Sequence, residues 1–263
     1  MNSKIEGLIL SKIPLQKRTQ IVRLLLRNGK KISVLFPIKS KKHESVELAH
    51  MLKIELSPCK STSEIYTAKE WNILWAPSKI RSDYLVFNIT CLILEIIQSI
   101  TASSDLHDPS YLSDTESSAI FSVASNVLYG LNIAPKKPHD HLLPFLGKLL
   151  IALGIFPRID SCIECGRSLQ SSSINLALDP GQGGFLCGYC LKINHSGYYA
   201  SSSMQKLRDA LHKISTTKYH EIDLRSNMTL FNSSLEYFCR QFEFSPHKFK
   251  SLPVIIKTFP ASA

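Results

Sequence analysis

Four cysteines in two close pairs constrain this chain more than any other feature. Cys162 and Cys165 form one C-x-x-C and Cys187 and Cys190 a second, with 21 residues between the pairs. Two residues between cysteines let both thiolates of a turn aim at one ion. A second pair completes the tetrahedron that zinc accepts without strain. Gly166 and Gly188 each directly follow a cysteine, where tight backbone turns are needed. Four sulfurs leave no open coordination position, so one structural Zn2+ per chain is expected, without hydrolytic chemistry. His195 lies near Cys190 and offers a substitute ligand, though four cysteines suffice. Cys59, Cys91 and Cys239 stand alone in mostly apolar surroundings and read as small buried hydrophobes. This is a poor disulfide framework and points to a reducing, cytoplasmic setting. The first residues show no apolar run with a small-residue cleavage site. The most apolar stretch, Tyr84 to Ile100, holds Asn88, Thr90, Glu95 and Gln98 and is too short and polar for a membrane span.

Charge is the second constraint, because it is unevenly spread. The 263 residues carry a formal net charge of +10. Residues 1–80 hold 15 basic and 6 acidic side chains, a net of +9, whereas residues 81–160 are net acidic. So concentrated a field attracts polyanions, of which nucleic acid is the usual one. The candidate contacts are Lys17, Arg18, Arg23, Arg27, Lys30, Lys31, Lys39, Lys41 and Lys42, with Lys4 and Lys12 in the same field. Lys39, Lys41 and Lys42 share one basic loop, suited to following phosphates without reading bases. Alternation puts Arg23 and Arg27 on the same side of a strand as Ile21 and Leu25. Phe36, Tyr66, Trp71 and Trp75 read as core residues before they read as base-stacking platforms.

The same N-terminal stretch has strand rhythm. Residues 5–13, 19–27 and 30–36 read as strands, with Asn28-Gly29 as a hairpin turn between the second and third. Residues 45–57 and 63–75 supply two more. Five short strands in about 75 residues suggest a small barrel, since closure removes the exposed edges of a bare sheet. Near residue 80 the period changes. Leu85, Ile89, Leu92, Ile96 and Ile100 recur at helical spacing. Further helical sets run from Ile120 to Leu131, from Leu142 to Leu153, from Met204 to Ile214 and from Phe231 to Phe242. Ser202 with Gln205 fits a capping box for the set from Met204 to Ile214. The reading is an α+β chain: residues 1–79 a nucleic-acid-binding barrel, and residues 80–263 a mostly helical domain with a zinc module inserted at about 157–200.

No enzyme motif competes. There is no phosphate-binding loop, dinucleotide fingerprint, GxSxG or HExxH. Asp105, His107 and Asp108 fall in a polar, turn-like stretch. Two alternatives to a nucleic-acid-binding protein stay open on the residues: a zinc-containing scaffold or transcription-associated factor, and a divergent metal-dependent nuclease using residues 105–116.

Read along its whole length, the chain resembles the bacterial DNA repair protein RecO family. The resemblance rests on IEGLILSKIPLQKRTQIVRLLLRNGKKISVLF (5–36), LGIFPRIDSCIECG (153–166), GQGGFLCGYC (181–190) and LEYFCRQFEFSPHKFKSLPVI (235–255), in that order. It implies an N-terminal OB-type barrel, a helical C-terminal domain carrying the zinc module, and no enzymatic turnover. It also implies a recombination mediator of DNA repair that binds single- and double-stranded DNA and anneals complementary strands. The implied partners are RecR, the C-terminal tail of single-strand binding protein, and also RecF and RecA, which such proteins help load; the setting is cytoplasmic and nucleoid-associated. Two departures stand out. FPIKSKKH (36–43) replaces the family's small glycine-containing stretch, and Lys17, Arg18 and Thr19 replace an acidic residue and a serine. Both keep or raise positive charge.

Overall fold

The computed structural model describes residues 4–16, 19–37, 45–57, 65–101, 118–134, 137–169, 175–194, 202–225 and 227–259. Five strands, β1 (Lys4–Gln16), β2 (Thr19–Leu26), β3 (Lys31–Pro37), β4 (Met51–Ser57) and β5 (Tyr66–Trp75), close into a barrel of order β1-β2-β3-β5-β4. β1 is the longest and pairs with both β4 and β2. Its two register irregularities, between Ile9 and Ser11 and between Pro14 and Gln16, let one strand serve two neighbours. β3 and β5 meet in parallel at Val34–Tyr66 and complete the circuit. β3 and β4 alternate a buried residue with a more exposed one, as period-2 strands with one core face must. The interior is Ile9, Val22, Leu24, Ile32, Val34, Phe36, Leu52, Ile54 and Trp71 among others. Phe36 and Trp71 meet edge-to-face at 5.1 Å. The expected OB-type barrel is therefore present.

The Asn28-Gly29 hairpin forms, but not as a two-residue turn. Leu26 N–H donates to Lys30 O (2.8 Å) and Gly29 N–H to Leu26 O (2.9 Å), leaving a three-residue loop with Gly29 at φ +84°. That is a turn closed by a left-handed glycine bulge, which matches strand twist equally well. A Cβ on Gly29 would also lie 2.6 Å from Ser118 Oγ.

After β5 come α1 (Ser78–Ser82), α2 (Tyr84–Ile100) and α3 (Ala119–Ile133). Asp83 caps α2: its Oδ1 accepts from the N–H of Leu85 (2.8 Å) and Val86 (2.9 Å). Ser118 caps α3 through Phe121 N–H (3.1 Å). α2 packs against β1 and α3, and buries Ile89, Leu92, Ile93, Ile96 and Ile97. Leu92 and Ile96 are fully enclosed. Leu92→Ala or Ile96→Ala is expected to cost about 2–5 kcal/mol, read as a shift in urea midpoint at unchanged slope.

By packing, the chain divides into two compact units, residues 1–135 and 136–263. The helices thus split between a barrel-bearing unit and a cysteine-bearing one. Periodicity finds helices but not their packing partners. The 79/80 boundary, drawn where strands give way to helices, stays a proposal about where the nucleic-acid-binding domain ends.

The second unit holds α4 (Leu142–Ala152), a hairpin of β6 (Leu176–Asp179) and β7 (Gly184–Cys187), α5 (Gly188–Asn194), α6 (Ser202–Thr216), α7 (Met228–Gln241) and α8 (Leu252–Thr258). α4 packs against α6 and α7, and Gly147 lets α4 approach Ile214 closely. The four helical sets read beyond α2 coincide with α3, α4, α6 and α7. The capping side chain expected at Ser202 lies outside the described side chains. α8 is an element the sequence reading did not separate from the closing tail. No helix among the described residues is long and apolar enough to cross a membrane.

Candidate metal centre and nucleic-acid interface

The first cysteine pair sits in a tight reversal. Cys162 N–H donates to Arg167 O (2.8 Å), Gly166 N–H donates to Cys162 O (3.0 Å), and Gly166 adopts φ +71°. Gly166 therefore serves the turn as expected. Gly188 serves differently: a Cβ there would stand 3.1 Å from Asn175 O. The second pair spans the end of β7 and the first turn of α5. Asp179 holds the β6–β7 turn, accepting from the N–H of Gly181 (2.8 Å) and Gln182 (3.2 Å). The two halves are tied by backbone. Arg158 N–H donates to Gly183 O (2.9 Å), Phe185 N–H to Arg158 O (3.1 Å) and Ile163 N–H to Phe185 O (3.0 Å). Gly184 is required at this crossing, because a Cβ would run into Ile163 and come within 3.0 Å of Arg158 O.

These ties bring four sulfurs within 4.8 Å of one another. Cys162 and Cys190 are 3.8 Å apart and Cys165 and Cys187 3.7 Å. A disulfide needs about 2.05 Å, so these are not bonded pairs. A tetrahedral ion with metal–sulfur bonds of about 2.3 Å has sulfur–sulfur edges of about 3.8 Å, which these two separations match. Cys162, Cys187 and Cys190 are buried and belong to the apolar core of the module; Cys165 reaches the surface. Burial pushes the Cys162 thiol up, but backbone donors from Cys165, Cys187 and Glu164 outweigh it and bring it down to about 6. Cys187 N–H is one of them, 3.4 Å from the Cys162 sulfur. Burial pushes the Cys190 thiol upward. The cluster can coordinate a metal ion. His195 lies outside the described residues.

The isolated thiols behave otherwise. Burial pushes both Cys91 and Cys239 up to about 11, so they remain protonated and inert. Cys239 is buried and Cys91 half-buried, while Cys59 lies outside the described residues.

The basic candidates fare unevenly. Lys17, Arg18, Lys39, Lys41 and Lys42 lie outside the described residues, as does the 105–108 stretch. Arg23 sits half-buried on the outer face of β2, paired in register with Ser11 and Ser33. Arg27 donates from Nε to Glu6 Oε2 at 2.6 Å and stacks 5.6 Å from the Phe121 ring. Lys30 closes the hairpin through its backbone, and Lys31 donates from Nζ to Gln98 O (3.0 Å) in the last turn of α2. Lys12 is held by Glu47 (2.6 Å) and Val46 O (2.9 Å). Leu25 is buried while Arg23 is not, since Leu24, Leu25 and Leu26 are buried in succession where the barrel's outer face is also covered. Phe36, Tyr66 and Trp71 are core, and Trp75 is half-buried.

Sequence reasoning passed over a second cluster in the barrel unit. Arg81 Nη2 donates to His50 Nε2 at 2.8 Å. Desolvation, then the positive charge of Arg81, brings the His50 ring down to about 4 from 6.5, with Lys12 in the same direction and Glu47 opposing. A ring whose folded value is depressed stabilises the fold fully above pH 6.5 and loses that contribution as pH falls toward 4, because the unfolded ring protonates first. Urea midpoints are expected to drop between pH 7 and pH 5 for this reason, and His50→Gln to flatten that drop.

Residues 104–243, about half the chain, match the family described as Recombination protein O C terminal, a span that contains all four cysteines. Two relatives called DNA repair protein RecO are similar to it. The protein of Anaeromyxobacter sp. (strain Fw109-5) is 40% identical over 63 residues, 24% of either chain. That of Acetivibrio thermocellus is 22% identical over 190 residues, 72% of this chain and 70% of the relative. The chain thus spans about a quarter of the first relative's length in that match.

Proposed function

The chain belongs to the RecO family, and from that premise we propose that it is a recombination mediator. It binds DNA through its barrel, anneals complementary strands and carries a structural zinc ion on Cys162, Cys165, Cys187 and Cys190. The observation that supports this reading best is a combination. A family match enclosing the four-cysteine cluster follows a closed five-stranded barrel. Barrels of this topology bind oligonucleotides across one face and its loops, and this one lies in the stretch that holds most of the chain's positive charge.

In this reading the work is non-enzymatic. Backbone-directed contacts hold two strands near each other, and base pairing supplies the specificity. Partners follow from the family: RecR, the tail of single-strand binding protein, RecF and RecA, in a cytoplasmic, nucleoid-associated setting. The test is annealing of complementary strands coated with single-strand binding protein. Annealing is expected without nucleotide, and removal of the coating protein's C-terminal tail is expected to slow it. Annealing no faster than that of the coated strands alone would reject the reading. Magnesium-dependent shortening of labelled DNA would place the protein among nucleases instead.

A further inference from the structure

Where β4 begins and β5 ends, Ser45, His50, Ile73, Ser78 and Arg81 line a pocket of about 590 Å³. Its chemistry is fixed by one hydrogen bond. A guanidinium only donates, so His50 Nε2 must accept from Arg81, and the ring proton must sit on Nδ1. That Nδ1 is buried and has no hydrogen-bond partner among the described residues. A buried donor left unpaired is costly and calls for an explanation. The backbone beside it is strained too: Ala49, immediately before His50, stands at φ +61°, held by Ala49 N–H to Ile9 O (3.1 Å). The fold thus gives up a hydrogen bond and accepts a left-handed alanine while holding one arginine in place.

The surroundings leave that arginine's charge uncompensated by the neighbouring carboxylates described. Glu47 is engaged by Lys12 at 2.6 Å, and Asp83 Oδ1 is engaged by the first N–H groups of α2. Arg81 itself is exposed, and it also donates to Leu48 O at 3.5 Å.

We infer that this pocket is a phosphate site of the barrel: Arg81 takes a phosphate oxygen of a bound nucleic-acid strand, and His50 is the positioning residue that orients the guanidinium. The planar fork of arginine suits phosphate, and a fork held by one edge presents the other already oriented. Ser45 and Ser78 bring hydroxyl donors to the same pocket. The inference rests on the DNA-binding reading for the source of the phosphate, whereas the site itself requires only an anion.

The experiment uses the full chain labelled with ¹⁵N, titrated separately with an oligothymidylate and with inorganic phosphate, following the His50 ring and Arg81 Nε–H signals. The oligonucleotide is expected to move both. Arg81→Gln is expected to weaken oligonucleotide binding about 3–10-fold and to lower the slope of log affinity against log salt by about 1. His50→Leu, which removes the acceptor, is expected to do likewise and to broaden the Arg81 signal; His50→Gln, which keeps an acceptor, is expected to restore both. If inorganic phosphate alone moves the signals, the site holds free phosphate and the nucleic-acid assignment is overturned. If neither ligand moves them, the pocket is no anion site. Failure of the wild-type chain to bind DNA at all would reject the DNA-binding reading, while the phosphate titration still decides the pocket.

Discussion

Replacement of Cys187 by Ala, or chelation of the zinc ion proposed for this site, is expected to unfold the cysteine module, from about residue 157 to the end of α5. Cys187 ends β7, and its sulfur is buried against Cys165 at 3.7 Å. The module shares an apolar core with α6, but its own regular structure is slight. β6 and β7 have four residues each, and the first pair hangs on a few backbone bonds around Gly184 and Arg158. Four sulfurs gathered within 4.8 Å can all be thiolates only with a cation among them. In small closed four-ligand sites metal binding is folding free energy, of the order of 10 kcal/mol at neutral pH. Loss of the ion therefore removes more than any single core truncation in α2. The expected results are one zinc per chain in protein purified without added metal, none in the alanine variant, and a lowered, broadened thermal transition. DNA affinity should change far less, because the positive charge lies chiefly in residues 1–80. A zinc content near zero with all four cysteines intact and reduced would sink the assignment.

What could be read from the chain, and what could not, follows from the range of each interaction. The two C-x-x-C pairs are local signals whose chemistry survives any fold that brings them together, and the structure does so. The Asn28-Gly29 hairpin is also local, although its loop length depends on where Leu26 and Lys30 pair. Apolar periodicity located α2, α3, α4, α6 and α7. It did not reveal that Leu25 is buried on the barrel's outer face, nor that α8 forms after the Lys250–Ser251 step, since those depend on what covers them. Arginine and lysine carry the same formal charge wherever they stand. Only three-dimensional contacts show Arg27 tied to Glu6 and Lys31 to a carbonyl of α2. Arg208 is the sharpest case. By sequence it is one more basic residue among several in 192–225, yet it is buried with Nη1 donating to Leu169 O at 2.6 Å. The His50–Arg81 pair joins residues 31 apart and left no pattern to read.

Those engaged side chains shift the electrostatic weight onto the loop lysines, and this leads to the second large effect. Changing Lys39, Lys41 and Lys42 together to Ala removes up to three phosphate contacts. Each contact releases a condensed counterion, so the slope of log affinity against log salt is expected to fall by about 2–3. Between 50 and 200 mM salt that is a difference of about 40-fold in how steeply binding is lost. The change should be the same for unrelated DNA sequences, because phosphates carry no sequence code. Zinc content and the thermal transition should stay near wild type, since the barrel interior is built from Ile9, Val22, Phe36 and Trp71. Arg27→Gln should behave differently: it strips Glu6 of its partner and Phe121 of its stacked cation, so stability should fall together with affinity. An unchanged salt slope in the triple variant would show that these lysines serve solubility alone. Binding would then run through other basic residues, whether Arg81 of the barrel unit or the exposed Lys192, Lys206 and Lys218 of the second. If the folded barrel unit also failed to bind DNA by itself, the assignment of the barrel as the main interface would fail with it.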